Sequence, residues 1–226
     1  EPVGHTKMLH DFDAGPATMC DMPFLAVDVN GSRFCCESAP MDVLNNFLKD
    51  GHKLKDGQAG WYSQIFDANY ETACADWPCA KLYTPEELEN FMPDVEGEKQ
   101  GVVEGFIRTF RADTLDELAE KIGADPAVFK ATVERYNEMV AKGRDDDFGK
   151  PAQFLKPIDT PPFYAMNRWL RVSAITSGLI VDGNLQVLNE NDEPIPGLYA
   201  AGNVSGGFYG GFDYPMTLAG LSLGRC

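Results

Sequence analysis

Five glycines fall within residues 202–211, directly after the short apolar run 198–201. A strand that opens into so many glycines lets the backbone approach a flat or phosphorylated ligand closely. Pro215 suits the first turn of a following helix, with Asp213 or Tyr214 at its cap. The free N–H groups of that helix would favour a negative or electron-rich atom. The pattern fits a reduced flavin, a phosphate or a buried carboxylate, and it also fits a surface loop before a buried helix.

A pair of capped helices is the clearest secondary structure that the sequence predicts. Thr114 and Glu117 form a capping box, and Gly123 ends the first helix. Asp125 caps the second helix, and Gly143 ends it. Apolar residues at helical spacing give each helix one buried face: Leu115, Leu118 and Ile122 in the first, and Phe129, Val133, Tyr136 and Val140 in the second.

Two turns rich in Asn, Asp and Gly predict β-hairpins, Asn30-Gly31 and Asp182-Gly183-Asn184. The strands that they would join are 24–29 with 32–36, and 179–181 with 185–188. Other predicted elements are strands at 61–66 and 198–201, a helix at 41–48, a short helix capped by Thr84, and a final helix after Pro215. Four prolines within residues 150–163 exclude helix or central strand there, and this stretch is interpreted as a hinge-like connection between two units.

Composition excludes several classes of function. The chain has 35 acidic and 19 basic residues, for a formal charge of −16, so nucleic acid would be repelled on average. No run of 18 uncharged apolar residues occurs, so no membrane-spanning helix is expected. The six cysteines form no C-x-x-C pair, so no metal site is predicted. The first residue is not Met, and the last apolar pattern stops without an end signal, so we expect a fragment of a longer protein.

Several segments, in order along the chain, resemble the fumarate reductase and 3-oxosteroid dehydrogenase flavoprotein superfamily. The most specific is Pro194-Ile-Pro-Gly-Leu-Tyr-Ala-Ala-Gly-Asn203, which is similar to the closing flavin motif of the family. The others are Thr176-Ser-Gly-Leu-Ile-Val-Asp182 with Gln186-Val-Leu188, the hairpin from Phe24 to Glu37, the helices of 114–147, and Ile158-Asp-Thr-Pro-Pro-Phe-Tyr164.

The resemblance implies an α+β fold in two parts. A capping domain of helices with a small antiparallel sheet would cover residues 10–168. Residues 1–9 and 169–226 would belong to a split Rossmann-like FAD domain, the latter as a hairpin, strand, Gly-rich loop and helix. The G-x-G-x-x-G pattern that holds the ADP half of FAD occurs nowhere in the chain, so FAD binding by this chain alone is expected to be weak or absent. The resemblance places FAD against Gly202, Asn203, Thr217 and Leu218.

The cationic residues with which fumarate reductases bind dicarboxylates are replaced here. By the resemblance, an arginine of the last loop corresponds to Asp213, a histidine to Ala174, and a cap arginine to Tyr70 or Glu71. A dianion facing Asp213 would be repelled, so a dicarboxylate is not the expected substrate. The substrate side instead offers Asp213 and Arg171 with three aromatic residues, Phe208, Tyr209 and Phe212.

The stretch from Asp213 to Leu218 is more similar to the Tyr-Pro loop of the ketosteroid dehydrogenases. By that resemblance Tyr214 and a backbone N–H near Leu218 polarise a substrate carbonyl. Tyr70 exchanges the proton at the neighbouring carbon, and Glu37 matches a relay glutamate of the fumarate reductases. The remaining catalytic candidate, His10, would match a histidine of the cap.

The sequence therefore predicts part of an FAD-dependent oxidoreductase that acts on a C=C or CH–CH bond of an enone- or acrylate-like small molecule. Two alternatives stay open. The chain is a binding module without cofactor, or it is a dicarboxylate reductase whose cations are Arg108, Arg111 or Arg171. The electron donor, the direction of reaction and the compartment are not predicted.

Overall fold

The structure is a computed structural model that describes residues 19, 22–39, 62–77, 82–93, 107–168 and 178–205. The chain divides into two compact units, Met8–Leu170 and a second made of Glu1–Lys7 with Arg171–Cys226. The described residues combine helices with small antiparallel sheets, as the α+β prediction requires. The predicted helices at 41–48 and after Pro215 lie outside the described residues.

A four-stranded antiparallel sheet forms the middle of the larger unit. Its strands are β1 (Leu25–Asp28), β2 (Tyr62–Asp67), β3 (Thr109–Ala112) and β4 (Phe163–Arg168), in the spatial order β1-β2-β4-β3. Leu25 is opposite Ile65, Ile65 is opposite Ala165, and Ala165 is opposite Phe110. Because side chains alternate along a strand, these four residues lie on one face of the sheet. The predicted strand at 61–66 is thereby confirmed, with a shift of one residue.

Two helices cover that face. They are α3 (Leu115–Ile122) and α4 (Pro126–Lys142), which follow two short helices, α1 (Tyr70–Ala73) and α2 (Pro85–Leu88). Leu118, Phe129 and Val133 pack with the strand residues in one buried apolar cluster. This face is called the helix-covered face below.

The opposite face of the sheet carries an aromatic cluster. Phe66 stacks on Phe24 and on Tyr164, with ring centroids 4.6 Å and 5.3 Å apart. Met19, Tyr70, Trp77 and Leu88 complete this side of the core. Both faces of the sheet are thus buried in the larger unit.

The predicted caps are confirmed. Thr114 Oγ1 accepts from the Glu117 N–H of α3, and Asp125 accepts from the Ala127 and Val128 N–H groups of α4. Gly123 and Gly143 end the two helices with φ of 75° and 70°. The capping box at Thr114 is half formed, because the Glu117 carboxylate accepts from Asp113 N rather than from Thr114 N. Thr84 caps α2 with both halves of its box in place.

The first predicted hairpin is wrong in its second strand. The turn forms, since Asp28 accepts from Asn30 N and Ser32 N and Gly31 has φ of 93°. Residues 32–36 then pair with β1 only at the bridge between Val27 and Arg33, whereas β2 pairs with β1 over its whole length. The side chain of Arg33 joins a buried group of charges, which is described below.

The proline-rich stretch 150–163 is not a connection between the two units, because it lies inside the larger one. It contains one short 3-10 turn, Ala152–Phe154, and it leads into β4. Strand β4 is central in the sheet, and all four prolines precede its paired residues. The N–H groups of β4 are therefore all available to the ladder.

The described part of the smaller unit is a two-stranded sheet followed by a turn. Strands β5 (Gln186–Leu188) and β6 (Pro194–Tyr199) are antiparallel, and the Gly202–Val204 turn follows. The predicted turn at Asp182 is confirmed, with a bridge between Val181 and Val187. Strand β6 begins earlier than the predicted 198–201, because an edge strand tolerates Pro194 and Pro196 on its unpaired side.

Candidate functional site

Glu37 lies in a buried group of four charged side chains, which we call the ion cluster: Arg33, Glu37, Asp145 and Lys150. Arg33 donates from Nε and Nη2 to the two Glu37 carboxylate oxygens, each over 2.8 Å. It also donates from Nη1 and Nη2 to Asp145 over 3.0 and 2.7 Å. The side chains of Arg33, Glu37 and Asp145 are 5%, 3% and 0% exposed. The ion pair of Arg33 and Glu37 is therefore buried and does not lie on the surface.

Lys150 is the second cation of the ion cluster, and its side chain is fully buried. Its Nζ donates to the Pro23 carbonyl oxygen and to the Tyr136 hydroxyl, and it lies 3.4 Å from Glu37 Oε2. Glu37 Oε1 also accepts from the Ala26 N–H over 3.1 Å. Both oxygens of Glu37 are therefore held by donors, which fixes the carboxylate in one orientation.

The loop after α4 brings Asp145 and Lys150 to this place. Asp145 accepts from the N–H groups of Asp147, Phe148 and Lys150, so its own loop wraps around its carboxylate. The Arg33 guanidinium lies 5.0 Å from the ring centre of Phe148, in cation–π geometry.

The balance of two cations and two anions keeps the ion cluster charged. Burial alone would lower the pKa of Arg33, but hydrogen bonds to Glu37 and Asp145 outweigh it and raise that pKa. Burial would likewise raise the pKa of Asp145, but hydrogen bonds from Arg33 and the backbone hold it well below its usual range. Burial opposes the charge of Lys150, and the nearby Glu37 carboxylate raises its pKa nevertheless.

The family resemblance pointed to Glu37, whereas its partners Arg33, Asp145 and Lys150 were not predicted as site residues. The charged run 144–147 predicts a solvated turn, and this prediction is wrong for Asp145, which is buried. No local feature of the sequence distinguishes Asp145 from its exposed neighbours Asp146 and Asp147. The burial of Asp145 depends on its contact with Arg33, which lies in a distant segment of the chain.

Tyr70 lies in the aromatic cluster rather than in the ion cluster. It starts α1, is 1% exposed, and packs its ring against Phe66 and Tyr164. Its hydroxyl donates to the Tyr83 carbonyl oxygen. Burial and the nearby Glu71 raise the pKa of Tyr70 above its usual value. This engaged hydroxyl favours a packing role in the described structure.

In the smaller unit, Gly202 begins the turn that follows β6. Its φ of 64° lies in the left-handed region, which favours glycine. Its carbonyl oxygen accepts from Ser205 N over 3.2 Å and from Ser205 Oγ over 2.8 Å, which closes the turn.

Most other predicted site residues lie outside the described residues: His10, Arg171, Phe208, Tyr209, Phe212, Asp213, Tyr214, Thr217 and Leu218. Their roles stay predictions. Asn203 is described in its backbone alone. Among the described residues, no three His, Cys, Asp or Glu side chains are grouped as a metal site would need, and no helix there is long and apolar enough to cross a membrane.

The family model of the FAD binding domain matches residues 19–217 of this chain. Curated relatives agree with it. An NADH:acrylate oxidoreductase of Vibrio harveyi is 34% identical over 83% of this chain and 16% of its own length. A digoxin reductase of Eggerthella lenta is 30% identical over 85% of this chain and 32% of its own length. The chain thus spans at most about a third of these two relatives.

Solved structures include the same fold. The crystal structure of 3-ketosteroid delta1-dehydrogenase from Sterolibacterium denitrificans, in complex with 1,4-androstadiene-3,17-dione, superposes with a TM-score of 0.66. It is 26% identical, and the match covers 98% of this chain and 40% of that one. The likeness extends over both described units.

Proposed function

This chain belongs to the FAD binding domain family, among relatives of the fumarate reductase and 3-ketosteroid dehydrogenase type, and we propose that it is part of a flavin-dependent oxidoreductase acting on an activated C=C or CH–CH bond. FAD is the cofactor of this family. The observation that carries the proposal is the family match over 199 residues, from 19 to 217.

The proposed substrate is an enone- or acrylate-like molecule rather than a dicarboxylate. Two relatives are named NADH:acrylate oxidoreductase and digoxin reductase, and these names support this substrate class. The sequence adds Asp213 and three aromatic residues, which suit a neutral or singly charged molecule better than a dianion.

The cofactor residues that we propose are Gly202, Asn203, Thr217 and Leu218, and the left-handed turn at Gly202 supports the first of them. FAD, when bound, supplies hydride transfer. We assign residues 10–168 to a substrate-capping domain, and residues 1–9 and 169–226 to a split Rossmann-like FAD domain. Because the ADP-binding motif is not in these 226 residues, FAD binding by this chain alone is expected to be weak.

The chain's own residues bind the substrate carbonyl and transfer protons. Tyr214 donates its hydroxyl proton as a hydrogen bond to the substrate carbonyl, beside a backbone N–H near Leu218. Glu37 relays protons, and His10 and Tyr70 are further candidates near the substrate. The contacts of Glu37 in the ion cluster also give it a structural role, because Arg33 donates to both of its carboxylate oxygens.

The test uses a purified flavoprotein that contains these residues, with reduced methyl viologen as electron donor. We expect acrylate or cyclohexenone to reoxidise the donor, and Tyr214→Phe to lower kcat by about 10²- to 10³-fold, as removal of an oxyanion donor does. The matched control is Tyr199→Phe, because Tyr199 is 62% exposed on β6. Equal losses in both variants would contradict the role of Tyr214.

Tyr70→Phe separates catalysis from packing. A proton-exchange role predicts a fall in kcat without loss of stability. A packing role predicts unchanged kcat and a lower free energy of unfolding, because the hydrogen bond to Tyr83 is lost.

A further inference from the structure

A row of polar side chains crosses three strands on the helix-covered face. Arg108 immediately precedes β3, and its carbonyl oxygen accepts from the Asn167 N–H of β4 over 2.9 Å. Asn167 is opposite Ser63 of β2, and the Ser63 hydroxyl donates to Asn167 Oδ1 over 2.7 Å. Alternation along β3 places Arg108 on the same face as Phe110. We call these three residues the polar row.

Arg108 is half-buried and has few partners for its guanidinium. Its Nη1 donates to the neighbouring Ile107 carbonyl oxygen over 3.3 Å. Its Nε is buried and has no hydrogen-bond acceptor within the described ranges. By contrast Arg33, Arg135 and Arg144 each pair with at least one carboxylate. Arg108 has no acid partner among the described residues, although the chain has 35 acidic and 19 basic residues.

Asn167 supplies a second donor beside this arginine. Its Oδ1 is taken by Ser63, which lies on the β2 side of β4. Its Nδ2 has no acceptor among the described residues, and β3, which Arg108 precedes, is the neighbour of β4 on the side opposite β2. The polar row contains no acidic residue, so nothing within it competes for these donors. A buried donor without an acceptor, as Arg108 Nε is, is costly, and a ligand oxygen would remove that cost.

We propose that Arg108 and Asn167 bind the carboxylate of a small monocarboxylic acid. A planar guanidinium matches the two oxygens of a carboxylate, and an amide N–H satisfies a further lone pair. One arginine balances one negative charge, which favours a monocarboxylate over a dicarboxylate. The inference deepens the proposed function and rests on it in one respect, namely that the bound acid is the acrylate-like substrate.

The experiment observes the arginine Nε–Hε signals of the chain by NMR during titration with sodium acrylate. We expect the Arg108 signal to move and saturate with acrylate, and to stay in place with sodium chloride or acrylamide. Arg108→Gln is expected to weaken acrylate binding about tenfold or more, since a charge-assisted pair of hydrogen bonds is lost. The control is Arg135→Gln, because Arg135 is exposed and paired with Asp147 and Glu138.

Arg108→Lys keeps the positive charge but loses the planar guanidinium with its paired N–H donors. It therefore tests the proposal even if Arg108→Gln fails to fold. We expect it to bind acrylate more weakly than the unaltered chain. If the Arg108 signal does not move at acrylate concentrations up to about 50 mM, the proposal is overturned. A dissociation constant above that value would be too weak for a specific site. So would equal affinity in the Arg108 and Arg135 variants.

The two proposals fail in different ways. Acrylate that binds Arg108 in the chain but is not reduced by the flavoprotein contradicts the proposed function and leaves the carboxylate site intact. Acrylate that is reduced with an unchanged KM in Arg108→Gln contradicts the carboxylate site alone.

Discussion

Replacing Lys150 by Met removes one charge from the ion cluster while keeping a side chain of similar length. Among the described residues the ammonium has polar contacts with the Pro23 carbonyl oxygen, the Tyr136 hydroxyl and the Glu37 carboxylate. Without it, two anions share the single cation Arg33. The cluster then has a net negative charge in a place where Glu37 and Asp145 are 3% and 0% exposed.

The expected loss follows from that imbalance. Removing one partner of a buried, hydrogen-bonded ion pair costs about 3–5 kcal/mol of unfolding free energy, because the remaining charge stays buried. The thioether of Met fills most of the Lys volume, so a cavity adds little. The second change, Glu37→Gln, restores neutrality. In the double variant we therefore expect about 1–3 kcal/mol less destabilisation than the sum of the single variants.

The assay is urea denaturation followed by far-UV circular dichroism. The matched control is Lys130→Met, whose partner Asp116 lies 3.1 Å away with both side chains about half exposed. An exposed pair contributes about 0.2–1 kcal/mol, so the control is expected to lose little. A loss in Lys150→Met no greater than in the control, or full additivity with Glu37→Gln, would refute the role given to the buried lysine.

The same cluster predicts how stability depends on pH. The pKa of folded Asp145 is held below its unfolded value, so its contribution is complete above the ordinary Asp range, about pH 4. It is lost as the pH falls through the lowered folded pKa. We expect Asp145→Asn to unfold with a weaker dependence on pH below about pH 4 than the unaltered chain. Parallel pH profiles for the two proteins would contradict this assignment.

Three further predictions concern single positions. Gly31→Ala is expected to cost about 1–3 kcal/mol in urea denaturation, because φ is 93° and a Cβ would lie 3.0 Å from Phe129 Cβ; Gly183→Ala, with open space around it, is the control. Asp125→Ala should cost about 1 kcal/mol, since the carboxylate caps two N–H groups of α4, and an unchanged midpoint would disprove this. Burial raises the pKa of Cys74 to about 12, so peptide mapping should find it alkylated by iodoacetamide at pH 8 only after unfolding, and rapid labelling of the folded chain would contradict that burial.

Local chemistry explains which elements the sequence predicts well. The helices α3 and α4 are bounded by Thr114, Gly123, Asp125 and Gly143, and each of these acts within one turn of its own position. The turn at Asp182 is equally local. Such features depend on neighbours in sequence, so a single chain contains all the information that they need.

Long-range pairing explains most of what the sequence could not predict. Nothing between residues 24 and 36 indicates that β1 pairs over its whole length with β2, a strand more than thirty residues away, and at a single bridge with its own hairpin partner. Arg33 and Asp145 are 112 residues apart, and their contact decides that one acid of a charged run is buried. Strand β4 was not predicted, because the prolines before it are typical of a linker. The last of these prolines directly precedes the first paired residue of β4.

In the candidate site, individual residues were predicted but their contacts were not. Glu37 and Gly202 were identified through a family resemblance, and the structure adds the partners that hold them. Arg108 was named only as an alternative cation, since its lack of an acid partner is a property of three adjacent strands and not of its sequence neighbours.

The most direct test of the central claim is the reoxidation of reduced methyl viologen by a flavoprotein that contains these residues, with acrylate, cyclohexenone and fumarate compared at equal concentration. The account predicts a flavin-dependent rate with acrylate or cyclohexenone that exceeds the rate with fumarate. A protein that holds FAD but reduces none of the three, or that prefers fumarate, would contradict it.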